Sequence, residues 1–308
     1  MGRGWGALCA VAFLLFGIGP GIAGEPAGPV ADAAPAKPTS GGDEEKAGPE
    51  HGKINTADAS PVDPGRFEVE ASYFYSRSKR LWDRDEDTQK RELTREHCVG
   101  LAVTAGVAEN LDLNISSCYS WLRDDENDYD ETDGELGPRH GDHFGDLDFG
   151  ARYRFLNDEK NNLEAAYIAG FTAPTGSGNC RREIGTSQEF WSFNQSLVVS
   201  KDWGKWTANA EAGYSLPFGE HRDDSRGVLC GNLAVGYQVL SWLQPELELN
   251  YEREFDREEY DPELIAGTAG LVMPVSDSMR INIGVQEGMW GRNTDKATSF
   301  FLGIKFAF

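Results

Sequence analysis

The residues of this 308-residue chain with chemistry to place first are its cysteines, a surplus of carboxylates and a few histidines. Cys9 lies in an apolar N-terminal run, which leaves Cys98, Cys118, Cys180 and Cys230. No C-x-x-C pair or zinc-ligand spacing occurs, so the even number points to two disulfides in an oxidising compartment, with free thiols as the alternative. A hairpin turning about residue 108 predicts Cys98 opposite Cys118 on one face, and Cys180 then pairs with Cys230. His140, Asp142, His143 and Asp146 crowd one junction where a metal could sit, but no Ser adjoins them to build a hydrolytic pair. His97 and His221 lack the His-x-Ser-Asn run of the outer-membrane phospholipase. Ala173-Pro174-Thr175-Gly176-Ser177-Gly178 lacks the Gly-Lys-Ser/Thr ending of a phosphate loop. No catalytic, metal-binding or cofactor-binding residue is assigned, and no cofactor is expected.

Charge and hydropathy bound the elements that carry these residues. With 29 Lys+Arg against 51 Asp+Glu the net charge is −22, which argues against a nucleic-acid partner. The mean hydropathy of −0.50 excludes a helical transporter, because each spanning helix needs roughly 20 apolar residues. Arg3, the apolar run Ala7 to Ile18 and the small residues Gly21 and Ala23 predict a signal peptide over residues 1–23, with a membrane anchor as the alternative. Residues 24–64 are rich in Ala, Pro, Gly and charge and read as a disordered periplasmic linker, too polar and short to fold into a plug.

From residue 65 to 308 the texture is alternation. Leu147, Phe149, Ala151, Tyr153 and Phe155 oppose Asp146, Asp148, Gly150, Arg152 and Arg154; Leu247, Leu249 and Tyr251 oppose Glu246, Glu248 and Glu252. Period 2 puts such acids on one face of a strand. About twelve strands are expected, near 66–78, 89–107, 111–123, 144–156, 162–173, 189–201, 205–216, 228–239, 243–254, 263–273, 279–287 and 298–308. Short turns alternate with long polar loops, including 124–143 and 288–297. That pattern predicts an all-β, transmembrane, antiparallel up-and-down barrel with both termini periplasmic. A soluble β-sandwich also alternates, but aromatics near strand ends and charges in mid-strand favour the barrel in a bacterial outer membrane. Phe300, Leu302, Ile304, Phe306 and Phe308 alternate to the chain end, and Phe306 and Phe308 are read as the signal for the outer-membrane assembly machinery.

The parity opposite the apolar face assigns Glu68, Glu70, Asp112, Asp146, Asp148, Arg152, Arg154, Glu211, Glu246, Glu248, Arg280 and Lys305 to the lumen. Acids outnumber bases there, which favours cations if the lumen is open; the alternative is pairing across a filled lumen. The dense acids from Asp124 to Glu135 read as a solvated outer loop, with divalent bridging to lipopolysaccharide as one use of it. Outer-membrane lipid is the other expected partner.

Gly145-Asp146-Leu147-Asp148-Phe149-Gly150-Ala151-Arg152-Tyr153-Arg154-Phe155, Ala173-Pro174-Thr175-Gly176, Ser200-Lys201-Asp202-Trp203-Gly204 and Gly213-Tyr214 carry a resemblance. They resemble the outer-membrane family named for the MetA pathway of phenol degradation, often called simply a transporter. The resemblance implies passive uptake of small, hydrophobic or aromatic molecules and carries over no catalytic residue. The expected function is a passive outer-membrane channel without energy coupling. A closed structural barrel acting through acidic loops is the competing class.

Overall fold

The alternation becomes one closed sheet. The computed structural model describes residues 53–130, 134–179, 183–219, 225–256 and 261–308. The signal-peptide expectation and Cys180 lie outside these. The strands are β1 Phe67–Trp82, β2 Thr88–Ala108, β3 Leu111–Asp130, β4 Gly134–Phe144, β5 Leu147–Asp158 and β6 Leu163–Ala173. They continue with β7 Trp191–Trp203, β8 Trp206–Phe218, β9 Ser225–Tyr237, β10 Gln244–Asp256, β11 Glu263–Ser276, β12 Met279–Arg292 and β13 Thr294–Ala307. Sequential strands pair antiparallel except β4 and β5, and β1 pairs with β13 to close the wall. At the seam Phe67 and Phe308 exchange backbone bonds of 3.2 and 2.8 Å.

β4 and β5 share one position in the wall. Both pair with β3, Tyr119 opposite Phe144 toward one end and Ser116 opposite Asp148 toward the other, so twelve positions close the barrel. The break falls at Gly145-Asp146. Asp146, expected as a lumen charge, instead fastens the β6–β7 connection: it accepts the Gly176 N–H at 2.9 Å and the Gln188 N–H at 2.8 Å. A carboxylate at a sheet interruption supplies the acceptors that the missing ladder would have given.

The faces are inverted relative to a soluble protein. Ser116, Thr172 and Thr207 are fully buried on the inside, while Leu247 is 68% exposed on the outside with Leu101, Leu233 and Val285. Lipid is the solvent that rewards this arrangement. Aromatics band the outer surface at both ends: Trp121, Phe144, Trp191 and Phe218 at the loop end, and Tyr153, Phe155, Trp203, Trp206 and Phe306 at the end holding both barrel termini.

Two expected loops are strand. Residues 124–130 extend β3 and 134–144 form β4, where a loop over 124–143 was expected. The expected loop 288–297 is the tight β12–β13 turn, with Asn293 at φ 52°. Polarity marks where the wall leaves hydrocarbon, and strands need not stop there.

Candidate functional site: a lumen and the segment inside it

The lumen is occupied by the chain's own residues 53–63, so the linker expectation fails for its last stretch. An extended segment carries a row of unpaired N–H groups, and inward-facing acceptors of successive strands meet them. Val62 N–H donates to Asp112 on β3 at 2.9 Å, and the Ser60 hydroxyl to Glu164 on β6. Ala59 N–H donates to Ser200 Oγ on β7 at 2.9 Å, and Ala57 N–H to Glu211 on β8 at 3.2 Å. Ile54 and Asn55 N–H both reach Glu248 on β10, at 2.8 and 3.0 Å. Lys53, its side chain fully buried, lies 3.4 Å from Glu246 and donates to Thr207 at 3.1 Å. Asn55 also donates to Thr268 on β11 at 2.9 Å, and Asn282 on β12 donates to the Lys53 carbonyl at 3.2 Å. This strap crosses the barrel from the β2–β3 hairpin to β12.

Small residues make room for it. Ala59 packs on Ala166 and Val198. Ile54 packs on the cluster of Phe74, Cys98 and Phe301 and lies over Gly284, where an added Cβ would meet its methyls at 3.1 Å. Apolar contact at two points, with charge-assisted bonds between them, sets the strap's register along the wall.

The other sequence-assigned lumen residues divide by height. Toward the terminal end, bases meet acids: Arg152 contacts Asp112 at 2.5 Å and Asp58 at 3.5 Å, and Arg154 contacts Glu164 at 2.7 Å. Lys305 lies 3.0 Å from Glu68 and 3.6 Å from Glu70. Arg280 also lines the lumen cavity, which measures about 530 Å³. Toward the loop end, Asp148, Glu189, Glu211, Glu252 and Glu254 line it, and among the described residues no Lys or Arg lines that part. Asp148 accepts from Thr172 at 2.5 Å, Asn194 donates to Thr172 at 2.8 Å, and Ser215 donates to Asn194 at 2.6 Å. These bonds make a polar ladder across four strands.

The cysteine register needs correcting. Cys98 stands opposite Ser120, and Cys118 opposite Gly100. The two thiols are diagonal neighbours on the inner face, where direct opposition was expected, because the turn is centred later and a bulge falls between Gly106 and Ala108. Cys98, Cys118 and Cys230 are free thiols, with Cys230 against Gly213. His97 faces outward and shares a 2.8 Å bond with the Tyr73 hydroxyl. Phe306 lies in β13 opposite Val69, and Phe308 closes the seam.

Sequence reasoning missed Lys53, Ile54, Asn55, Ala57, Ala59 and Ser60 as site residues. The available signal was a change of texture: after residue 52 the Pro- and Glu-rich run gives way to small residues around a single Ile.

Solved outer-membrane proteins are similar to this chain in fold. An outer membrane channel from Pseudomonas putida F1 superposes with a TM-score of 0.69 at 14% identity, covering 83% of this chain and 100% of that one. The NanC porin superposes at 0.48 with 11% identity over 78% of this chain and 98% of its own. The translocator domain of the autotransporter NalP from Neisseria meningitidis superposes at 0.46 with 11% identity, over 78% and 88%. No curated protein sequence matches the chain. A family model described as "Putative MetA-pathway of phenol degradation" matches residues 107–302, more than half of the chain, and to that family of outer-membrane β-barrels the protein belongs.

Proposed function

We propose that the protein is a passive outer-membrane channel for small molecules, with its internal strap narrowing the path between the two mouths. The carrying observation is the lumen cavity of about 530 Å³, lined by residues 53–58 of the strap and by inward-facing side chains of the wall, with acids and bases mixed toward the terminal end. A volume of this order accommodates a small organic molecule. Hydrophobic or aromatic compounds are the class that the family description points to. Fixed lumen dipoles and charges select what passes, with no coupled energy source. We read it as a channel and not an enzyme, a reading that the lined lumen supports.

Planar-bilayer recording of the full chain tests this reading. Discrete conductance steps are expected, and replacing residues 53–62 by Gly and Ser raises the step size severalfold. If both the parent and the strap replacement are silent, the barrel is closed and the channel reading is lost.

A further inference from the structure

The outer surface carries a feature that the channel does not use. On β10, Tyr251, Arg253 and Phe255 share parity with the lipid-facing Leu247 and Leu249, so Arg253 faces outward. It stands opposite Glu263 on β11, which stands opposite Arg292 on β12. Arg292 and the Tyr251 hydroxyl each donate to Glu263 at 2.8 Å. Arg253 donates to Asp261 at 2.8 Å, its guanidinium lies 5.0 Å from the Phe255 ring centre, and its buried Nε has no hydrogen-bond partner. These contacts orient both guanidinium groups while leaving N–H donors uncommitted.

Two further arginines join them. Arg226 sits at a bulge between Gly227, opposite Phe255, and Ser225, opposite Asp256, with its carbonyl held by the Tyr214 hydroxyl at 3.0 Å. Gly227 has φ 139°, and a Cβ there would strike that hydroxyl. Arg84 comes from the β1–β2 turn, which is fastened by Asn293 N–H to the Asp83 carbonyl at 3.2 Å and by Trp290 to Glu86 at 3.1 Å. Arg84 and Arg226 are exposed, and neither guanidinium has a partner among the described residues. The four arginines line one depression of about 600 Å³ with Tyr214 and Phe255; Asp85 and Asp261 share its rim.

Arg253 and Arg292 are paired with Asp261 and Glu263, but four arginines meet only two aspartates in the described lining, so the depression keeps a local positive excess in a chain of net charge −22, and an anion complements it. Their height names it: they stand just beyond Tyr251, Trp290 and Tyr214, and the residues past such an aromatic row meet lipid headgroups. Guanidinium forks match phosphate bidentately, and the aromatic floor suits a sugar or acyl stem better than a free ion. We propose that this depression binds the phosphate of an outer-leaflet glycolipid of the lipopolysaccharide type. The proposal rests on the reading that the loop end faces the cell exterior, and it is independent of what crosses the lumen.

The test titrates the full-length protein in nanodiscs with bisphosphorylated lipid A, with its dephosphorylated form and with inorganic phosphate, reading bound ligand by native mass spectrometry. Bisphosphorylated lipid A is expected to bind. Arg84→Gln with Arg226→Gln, both exposed and outside the ladder, is expected to weaken it by about tenfold or more, with bilayer conductance unchanged. Arg253→Gln with Arg292→Gln should do the same. Equal binding of the dephosphorylated lipid, or undiminished binding by both double variants, overturns the proposal. Inorganic phosphate binding as tightly as the lipid also overturns it, assigning the depression to free anions. An Asp85→Cys variant checks orientation separately: labelling on intact cells by an impermeant thiol reagent supports the proposal, and labelling only after permeabilisation sinks it through its orientation.

Discussion

Glu248 shows what a lumen carboxylate does in this barrel. Its two oxygens accept the N–H groups of Ile54 and Asn55, bonds that are worth about 1.5–3 kcal/mol each when one partner is charged. Glu248→Gln keeps the size and removes the charge. We expect a looser strap and at least severalfold more frequent open events in bilayer recordings, with the fold retained. Unchanged gating in Glu248→Gln would show that the strap is held elsewhere. That Glu248 faces inward is legible from its alternation with Leu247 and Leu249. Its partner is not, because backbone N–H groups are present in every sequence and leave no mark. The cysteines show a related limit. Parity puts Cys98 and Cys118 on one face, but a shift of two in the hairpin register, set by a two-residue turn and a bulge, separates opposite from diagonal. Alkylation of the protein unfolded without reductant is expected to modify Cys98, Cys118 and Cys230, and protection of Cys98 and Cys118 until a reductant is added would contradict the thiol state.

At the level of elements, the strands at the twelve wall positions were readable, but the separate strand β4 and the lengths of several strands were not. The apolar side of each alternation reports hydrocarbon, so β3, β12 and β13 were expected to end where their outward residues turn polar. Their hydrogen-bonded ladders continue into the aqueous layer, where Arg292, Asp295 and Lys296 sit on the wall. The β12–β13 turn depends on Asn293 in the left-handed region. Asn tolerates that conformation better than β-branched residues do. Asn293→Val is expected to cost about 1–2 kcal/mol and to lower the temperature of the heat-modifiable shift in electrophoresis, while Asn293→Gly changes it little. Gly284 belongs to the same scale. It gives β12 the thinness that Ile54 requires, so Gly284→Val drives the strap off its seat. The variant should behave like the strap replacement in bilayers; a parental conductance would mean that Ile54 repacks without moving the segment.

Across the whole molecule, acids dominate the interior, but they are not equivalent. Those near the terminal end are offset by Arg152, Arg154, Lys305 and the strap's own Lys53. Near the loop end the described lining holds acids and no Lys or Arg. A modest cation preference is expected in reversal potentials across a KCl gradient. It should shrink as salt rises from 0.1 M to 1 M, since the screening length falls from about 10 Å to about 3 Å. It should grow in the strap replacement, which removes Lys53 and uncovers Glu246 and Glu248. Anion preference in either protein would contradict this charge map.

The strap's path also bears on the order of assembly. Its residues precede every strand in the chain, yet Lys53 is bound to Asn282 across 229 positions and Asn55 to Thr268 across 213. Contacts so distant in sequence form late, because the intervening chain must first be organised. The acceptors exist as a set only when β3 through β12 are in place, so a segment synthesised before every strand is among the last to settle. A newly closed barrel is therefore vacant before it is filled, and early in its biogenesis the protein passes through a leakier form than its finished one.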